Sequence, residues 1–214
     1  MRVVDTHPLN QHDPNGLNVF YLMLVATIVG IVTTFQVHAH AGPLSRRPSA
    51  LFVISLALAG ALAFTLVEGP LLHRLELPVL ESWGILALQL LAVASFASLM
   101  QALVGRWAIV PAWLFLVVLG NSASGGAVAP PLLPRPFAFL SQWLPSGATV
   151  AALRDAIYFT DHQHVRPIAV LAAWATGLLA AMIIATRPGA PARGSTVSRP
   201  DRDSPLHALS QRIT

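Results

Sequence analysis

The 214-residue chain has no cysteine, no lysine and little charge of any kind. Without cysteine it can form no disulfide, thiol nucleophile or thiolate metal site. Without lysine it has no Schiff-base amine. A G-x-x-x-x-G-K-[ST] phosphate loop is excluded as well, because that loop needs its lysine to reach the phosphates. All 13 basic residues are therefore arginine. Charged residues make up 10% of the chain, against about 25% in a typical soluble domain. That is too little charge to coat a water-facing surface of this size. No H-E-x-x-H helix, nucleophile–base pair or glycine-rich phosphate loop occurs, so no catalytic group, cofactor or metal is expected and the chain reads as a non-enzyme. No basic patch is interleaved with aromatics, so nucleic acid is not an expected partner.

What the chain does have is apolar sequence in long blocks. Hydrophobic residues are 55% of the total and the mean hydropathy is +0.64. Blocks at about 17–37, 49–67, 83–104, 107–120 and 167–186 approach the length that crosses a hydrocarbon core of roughly 30 Å at 1.5 Å per residue. The predicted fold class is an all-α membrane protein with about five transmembrane helices and two short interfacial or re-entrant helices before the last span. Residues 1–16 form an extracytoplasmic N-terminal segment without the pattern of a signal peptide. Residues 17–186 form the transmembrane domain, with an outer loop at 121–166. Residues 187–214, rich in Pro, Ser and Arg, read as a disordered basic cytoplasmic tail. Gly105-Arg106 allows only a tight turn between the third and fourth blocks, which makes them an antiparallel pair. Pro111 falls in the first turns of the fourth, where a missing N–H costs least.

The outer loop is the most distinctive region. Asn121-Ser122-Ala123-Ser124-Gly125-Gly126 opens it, and Pro130, Pro131, Pro134 and Pro136 follow. Phe137 to Leu144 predicts a short apolar helix that Pro145-Ser146-Gly147 stops, and Ala148 to Phe159 predicts a second. Both are too short to span.

Polar residues near the spans are few. Gln89, Gln101 and Asn121 suit hydrogen bonds between helices. Glu68, next to Gly69-Pro70, reads as an interfacial cap ahead of the alternative, a proton-path carboxylate. Arg154, with Asp155, Tyr158 and Phe159 close by, suits a lipid phosphate or a contact to another loop, or is a plain interfacial arginine. Trp83, Trp107, Trp143 and Tyr158 fit an aromatic belt at the membrane surface. His38-x-His40 and His162-x-His164 read as loop histidines, since i and i+2 on a helix face different ways. Ala173, Gly177 and Ala181 fall four apart on one face of the last span. They permit close helix contact, though an ordinary alanine-rich span explains them as well.

The run from Leu119 to Phe159 resembles the last extracytoplasmic segment of type-2 ABC exporter permeases. It is closest to the actinobacterial membrane proteins grouped with the phage-infection-protein (YhgE/Pip-like) family. The residues that carry the likeness are Leu133-Pro134, Phe137, Leu140-Ser141 and Trp143-Leu144-Pro145, then Ala151, Arg154, Tyr158 and Phe159. Pro8 to Phe20 is similar to the entry of the second span in such proteins. The likeness covers roughly residues 8–186. It implies an outer-loop motif built on Pro134, Trp143, Pro145, Arg154 and Tyr158. It implies a permease-like subunit of an export system for lipid, envelope or drug-like substrates, in contact with membrane lipid and powered by a separate ATPase. The implied assembly is a homodimer or a pair with a full-length paralogue. Full members carry a first span and a sizeable extracytoplasmic domain ahead of this region, so the chain corresponds to their C-terminal membrane portion, a truncated member or split subunit. The competing expectation is a non-transporting scaffold or envelope receptor whose outer loop binds a partner. Arginine placement favours a cell-membrane protein with its N-terminus outside and its C-terminus in the cytoplasm: Arg46-Arg47, Arg106 and Arg187 flank the inner ends of the spans.

Overall fold

The structure, a computed structural model, describes residues 16–41, 45–71, 78–158 and 165–186. The readings placed on 1–15, on the connectors 42–44 and 72–77, on 159–164 with Phe159, His162 and His164, and on the tail 187–214 lie outside the described residues.

Among the described residues, four helices are long and apolar enough to cross a membrane. They are α1 (Asn18–Ala41), α2 (Arg46–Leu66), α3 (Val79–Val104) and α7 (Val165–Ala185). In hydrocarbon every backbone N–H and C=O must find an internal partner, so long apolar runs become helices even where β-branched residues are frequent, as in α1. The fourth apolar block forms a shorter helix, α4 (Ile109–Ser122). Its length is roughly 21 Å at 1.5 Å per residue, short of a hydrocarbon core of about 30 Å. Over Trp113–Leu119 it widens to π-type winding. Gly105, at φ 61°, turns the chain from α3 into α4 through a single 3₁₀ turn, Gly105–Trp107. This is the tight antiparallel reversal expected from the sequence.

Boundaries differ from the sequence reading in two instructive places. α1 continues through Ala41, so His38 and His40 stand in its last turn and not in a loop. Each points a ring nitrogen at a carbonyl one turn back, His38 Nδ1 to Thr34 O and His40 Nδ1 to Gln36 O, both at 2.8 Å. Pro145-Ser146-Gly147, read as a stop, is instead the first turn of α6 (Pro145–Tyr158). Proline at the first helical position loses no bond, because that N–H has no partner inside the helix.

α3 is the central post. Leu86, Gln89, Leu90, Val93, Ala94 and Ala97 are all buried, and α1, α2, α6 and α7 pack around the helix. Ala92 beside them, with Ala57 and Ala61 on α2 and Ala175 on α7, is also buried. Small residues matter here because lipid supplies no hydrophobic drive between helices; close backbone approach and dispersion must hold the bundle. α2 shows the two-faced consequence. Val53, Ala57, Ala61 and Thr65 face α3, while Leu51, Ile54, Leu58, Leu62 and Leu66 point outward. One end of the bundle carries Arg46, Arg47, Arg106 and Thr186; it is called the basic end.

At the opposite end, α5 (Arg135–Ser141) and α6 form a helical hairpin. α6 is buried through most of its length and shares one apolar core with Phe20, Met23, Ala57, Leu86 and Leu90. Thr149 in its second turn meets Gln89, about 15 Å along α3 from Val79 at 1.5 Å per residue. Asp155 and Ala156, near its other end, share a cavity wall with Leu80 and Glu81 at the start of α3. The helix therefore rises from the middle of the bundle toward its surface, which makes the hairpin re-entrant. The turn between α5 and α6 requires Gly147: a Cβ there would lie 1.9 Å from the carbonyl oxygen of Ser141.

Gly147→Ala is expected to destabilise the purified protein by about 1–3 kcal/mol or more, as overpacking does. Gly84→Ala, whose Cβ meets nothing within 4 Å, is expected to be neutral or to gain up to about 1 kcal/mol from helix propensity. Unfolding in mixed detergent micelles reads both. Equal effects would contradict the hairpin geometry.

Candidate functional site

The polar chemistry of the bundle gathers where α6 enters it. The Gln89 amide is buried between α1 and α6. Its Nε2 donates to Thr27 Oγ1 at 2.9 Å, and its Oε1 accepts from Thr149 Oγ1 at 2.8 Å. Both threonines also contact carbonyls four residues back, Met23 O and Pro145 O, at 2.8 Å each. A threonine in a helix interior can satisfy its hydroxyl on its own backbone, so neither needs the glutamine. The glutamine needs them, because a primary amide in an apolar core without partners costs several kcal/mol. One side chain thus ties α1, α3 and α6 together.

A second set of contacts holds the loop before the hairpin. Arg154 on α6 donates from Nη1 to Gly125 O at 3.0 Å and from Nη2 to Gly126 O at 2.7 Å. Two parallel donors on two successive carbonyls are a task that the planar guanidinium fork performs and a lysine does not. Gly125 sits at φ 68°, and a Cβ on Gly126 would lie 2.5 Å from the Phe20 ring. The glycines therefore let the loop lie flat on α1 with its carbonyls presented to Arg154. Ser124 Oγ accepts from Gly126 N at 3.1 Å and closes the turn.

The other motif residues scatter around this frame. Pro134 is exposed and opens α5, its carbonyl accepting from Phe137 N and Ala138 N at 2.9 and 3.0 Å. The Trp143 carbonyl accepts from Trp174 Nε1 at 2.6 Å, which ties the hairpin tip to α7. The Trp143 ring lies 5.2 Å below the Arg166 guanidinium, and Arg166 Nη2 donates to Gln142 Oε1 at 3.1 Å. Pro145 is buried at the start of α6, and Tyr158 is half-buried at its end. Trp143 and Pro145 thus stand at the hairpin turn, Arg154 further along α6 against the Gly125–Gly126 loop, Pro134 at the start of α5, and Tyr158 at the end of α6. Glu68 is half-buried in the π-type turn Val67–Leu71 that ends α2. Trp83 Nε1 donates to Leu58 O at 3.1 Å between α3 and α2, and Trp107 is exposed in the turn at the basic end. Ala173 and Gly177 face outward on α7, and a Cβ at Gly177 meets nothing within 4 Å. The packed face of α7 is instead Leu171, Ala175, Leu178 and Met182. Thr27, Thr149, Arg166 and Trp174 were not singled out in the sequence. A threonine in a span carries no signal of its own.

Between the helices lies an apolar cleft. α2 and α7 are pinned together at the basic end, where Arg46 Nε donates to Thr186 O at 2.6 Å and Ser49 Oγ meets Met182 Sδ at 3.7 Å. Toward the hairpin end they flank a cavity of about 450 Å³, floored by Ile85 and Leu88 of α3 and covered by Ala152 and Ala156 of α6. Leu58 lines it on one side and Ile168 on the other. A second space of about 550 Å³ shares Leu58, Leu80 and Trp83 and extends the cleft along α2 past Leu62. Glu81 and Asp155 are the ionisable groups on its rim. Behind Asp155 opens a more polar cavity of about 300 Å³, whose lining includes Ser124, Gln142, Arg154 and Arg166. Among the described residues no three His, Asp or Glu side chains converge as a metal site. No protein-family model, no curated protein and no solved structure matches the chain.

Arg154→Lys is expected to leave the helices intact but to free the loop, raising amide hydrogen exchange at Gly125 to Ala127 by about tenfold, the equivalent of roughly 1.4 kcal/mol. Unchanged exchange there would show that the guanidinium fork does not hold the loop.

Proposed function

We propose that this multi-pass membrane protein is the permease-like subunit of an export system for lipid, envelope or drug-like substrates, and that a separate ATPase energises it. The observation that carries the reading is the lateral apolar cleft between α2 and α7, roofed by the re-entrant helix α6. Such a cleft gives an apolar molecule a path from the bilayer into the bundle without crossing water. Its cavity falls within the roughly 300–1,000 Å³ typical of small-molecule sites. The resemblance of the outer-loop motif to type-2 ABC exporter permeases points the same way.

In this reading the basic end faces the cytoplasm, as arginine placement favours, and the hairpin faces outward. The ATPase docks at the basic end, near Arg46, Arg47 and the Gly105–Trp107 turn. A second copy or a full-length paralogue covers the outward face of α7. Closing and opening of the cleft about the Arg46–Thr186 contact, with α6 as its roof, alternates exposure of the cargo. The chain performs no bond chemistry itself.

Two measurements test the proposal together. Reporter fusions after Thr214 should signal cytoplasm and fusions at Gly126 the exterior; the reverse pattern contradicts the orientation. Purification from native membranes after cross-linking should recover an ATP-hydrolysing subunit in stoichiometric amount. Recovery of the intact chain without one would favour the scaffold or receptor reading.

A further inference from the structure

We infer that the cleft binds a membrane amphiphile with a phosphate-bearing headgroup, its acyl chain lying in the apolar cavity and its phosphate held by Arg166. This deepens the permease reading and rests on it for the claim that the bound molecule is cargo.

The chain-binding part follows from shape and chemistry. The cleft is long, open toward lipid along α2, and lined by Leu58, Leu62, Ile85 and Leu88. An apolar trough at the membrane-facing side of a bundle is filled by hydrocarbon, since neither water nor a polar solute gains there. Trp83, fixed by its bond to Leu58 O, lines both spaces.

The headgroup part follows from charge. Consecutive residues of α7 line both cavities: Arg166 and Pro167 face the polar one and Ile168 the apolar one. On α6, Asp155 borders both. An amphiphile with its chain beside Ile168 therefore places its head beside Arg166. The carboxylates Glu81 and Asp155 already hold interactions of their own. Arg154 is committed to two loop carbonyls. Arg166 is different. It is exposed, and among the described residues its contacts are the Trp143 face and the Gln142 amide, both neutral. They orient the guanidinium without neutralising it. It stands in the first turn of α7, at the end of a span, where lipid phosphates lie. An oriented guanidinium with donors to spare matches phosphate geometry.

The test uses the full-length protein purified in detergent and pyrene-labelled lipids read by energy transfer from tryptophan. Pyrene phosphatidylglycerol is expected to bind more tightly than pyrene diacylglycerol. Gly84→Phe, which fills the cleft from a position where a Cβ meets nothing within 4 Å, is expected to weaken both lipids by about tenfold or more. Arg166→Gln is expected to remove the preference for the phosphate-bearing lipid and to leave diacylglycerol binding within about twofold. Millimolar inorganic phosphate is expected not to displace the lipid, because the chain supplies most of the affinity; displacement would mark a free-phosphate site and overturn the amphiphile. Leu58→Trp serves as a second plug should Gly84→Phe alter the elution profile. Undiminished binding in the folded plug variant overturns the cleft assignment, and an unchanged headgroup preference in Arg166→Gln overturns the phosphate assignment. The assay contains no ATPase, so its failure is read separately from failure of the permease proposal.

Discussion

The bundle is organised around a single amide. Gln89 lies on the central helix and bonds Thr27 on one side and Thr149 on the other. In an apolar medium this amide has nowhere else to go, whereas helix-borne threonines can fall back on their own carbonyls. The asymmetry explains why the network specifies position. A glutamine at this depth is satisfied only when α6 is inserted to the level where its Thr149 hydroxyl faces α3. Interhelical hydrogen bonds in membrane proteins contribute modestly, about 0.6 kcal/mol on average and up to about 1.7. Their stabilising effect is thus smaller than their effect on register, because a helix shifted by one turn leaves the amide unpaired.

Around that point the rest is packing and geometry. Alanines on α2, α3 and α7 bring the helices close, and Gly147, Gly126 and Gly125 let the hairpin and its loop fit where side chains would collide. Arg154 fastens the loop from the inside of the hairpin, and Trp174 fastens its tip from α7. The outcome is a roof over one end of the bundle beneath which α2 and α7 leave an apolar opening. The same insertion that satisfies Gln89 therefore forms one wall of the cleft on which the functional proposal rests.

Much of this was legible in the sequence, and the reasons for the rest are physical. Four long apolar blocks declared themselves by length, since lipid leaves a chain no alternative to helix. The block at 107–120 was counted with the spans, but it forms the shorter helix Ile109–Ser122. Hydropathy reports that a segment is apolar but not that it winds as a π-type helix and ends short. Pro145 was visible, but proline stops one helix and starts the next with equal ease, so its role depended on which side the chain continued. His38 and His40 looked like loop residues because polarity ends a hydropathy block sooner than it ends a helix. Arg154 was read as suiting a lipid phosphate or another loop, and it holds the loop at Gly125 and Gly126. It does so through backbone carbonyls, which no side-chain pattern announces. Gln89 was expected to bond between helices and does; its threonine partners were hidden because threonine is common in spans. The cleft was invisible, being a property of how helices diverge and not of any one of them.

The most direct test of this account is a double-mutant cycle at Gln89→Leu and Thr149→Val, with unfolding free energies measured in mixed micelles. Both replacements keep approximate shape and remove the polar atoms. The account predicts that the two effects do not add, with a coupling of about 0.6–1.7 kcal/mol. Additivity within about 0.3 kcal/mol would mean that the amide does not fix α6 in the bundle, and the inserted roof would lose its cause.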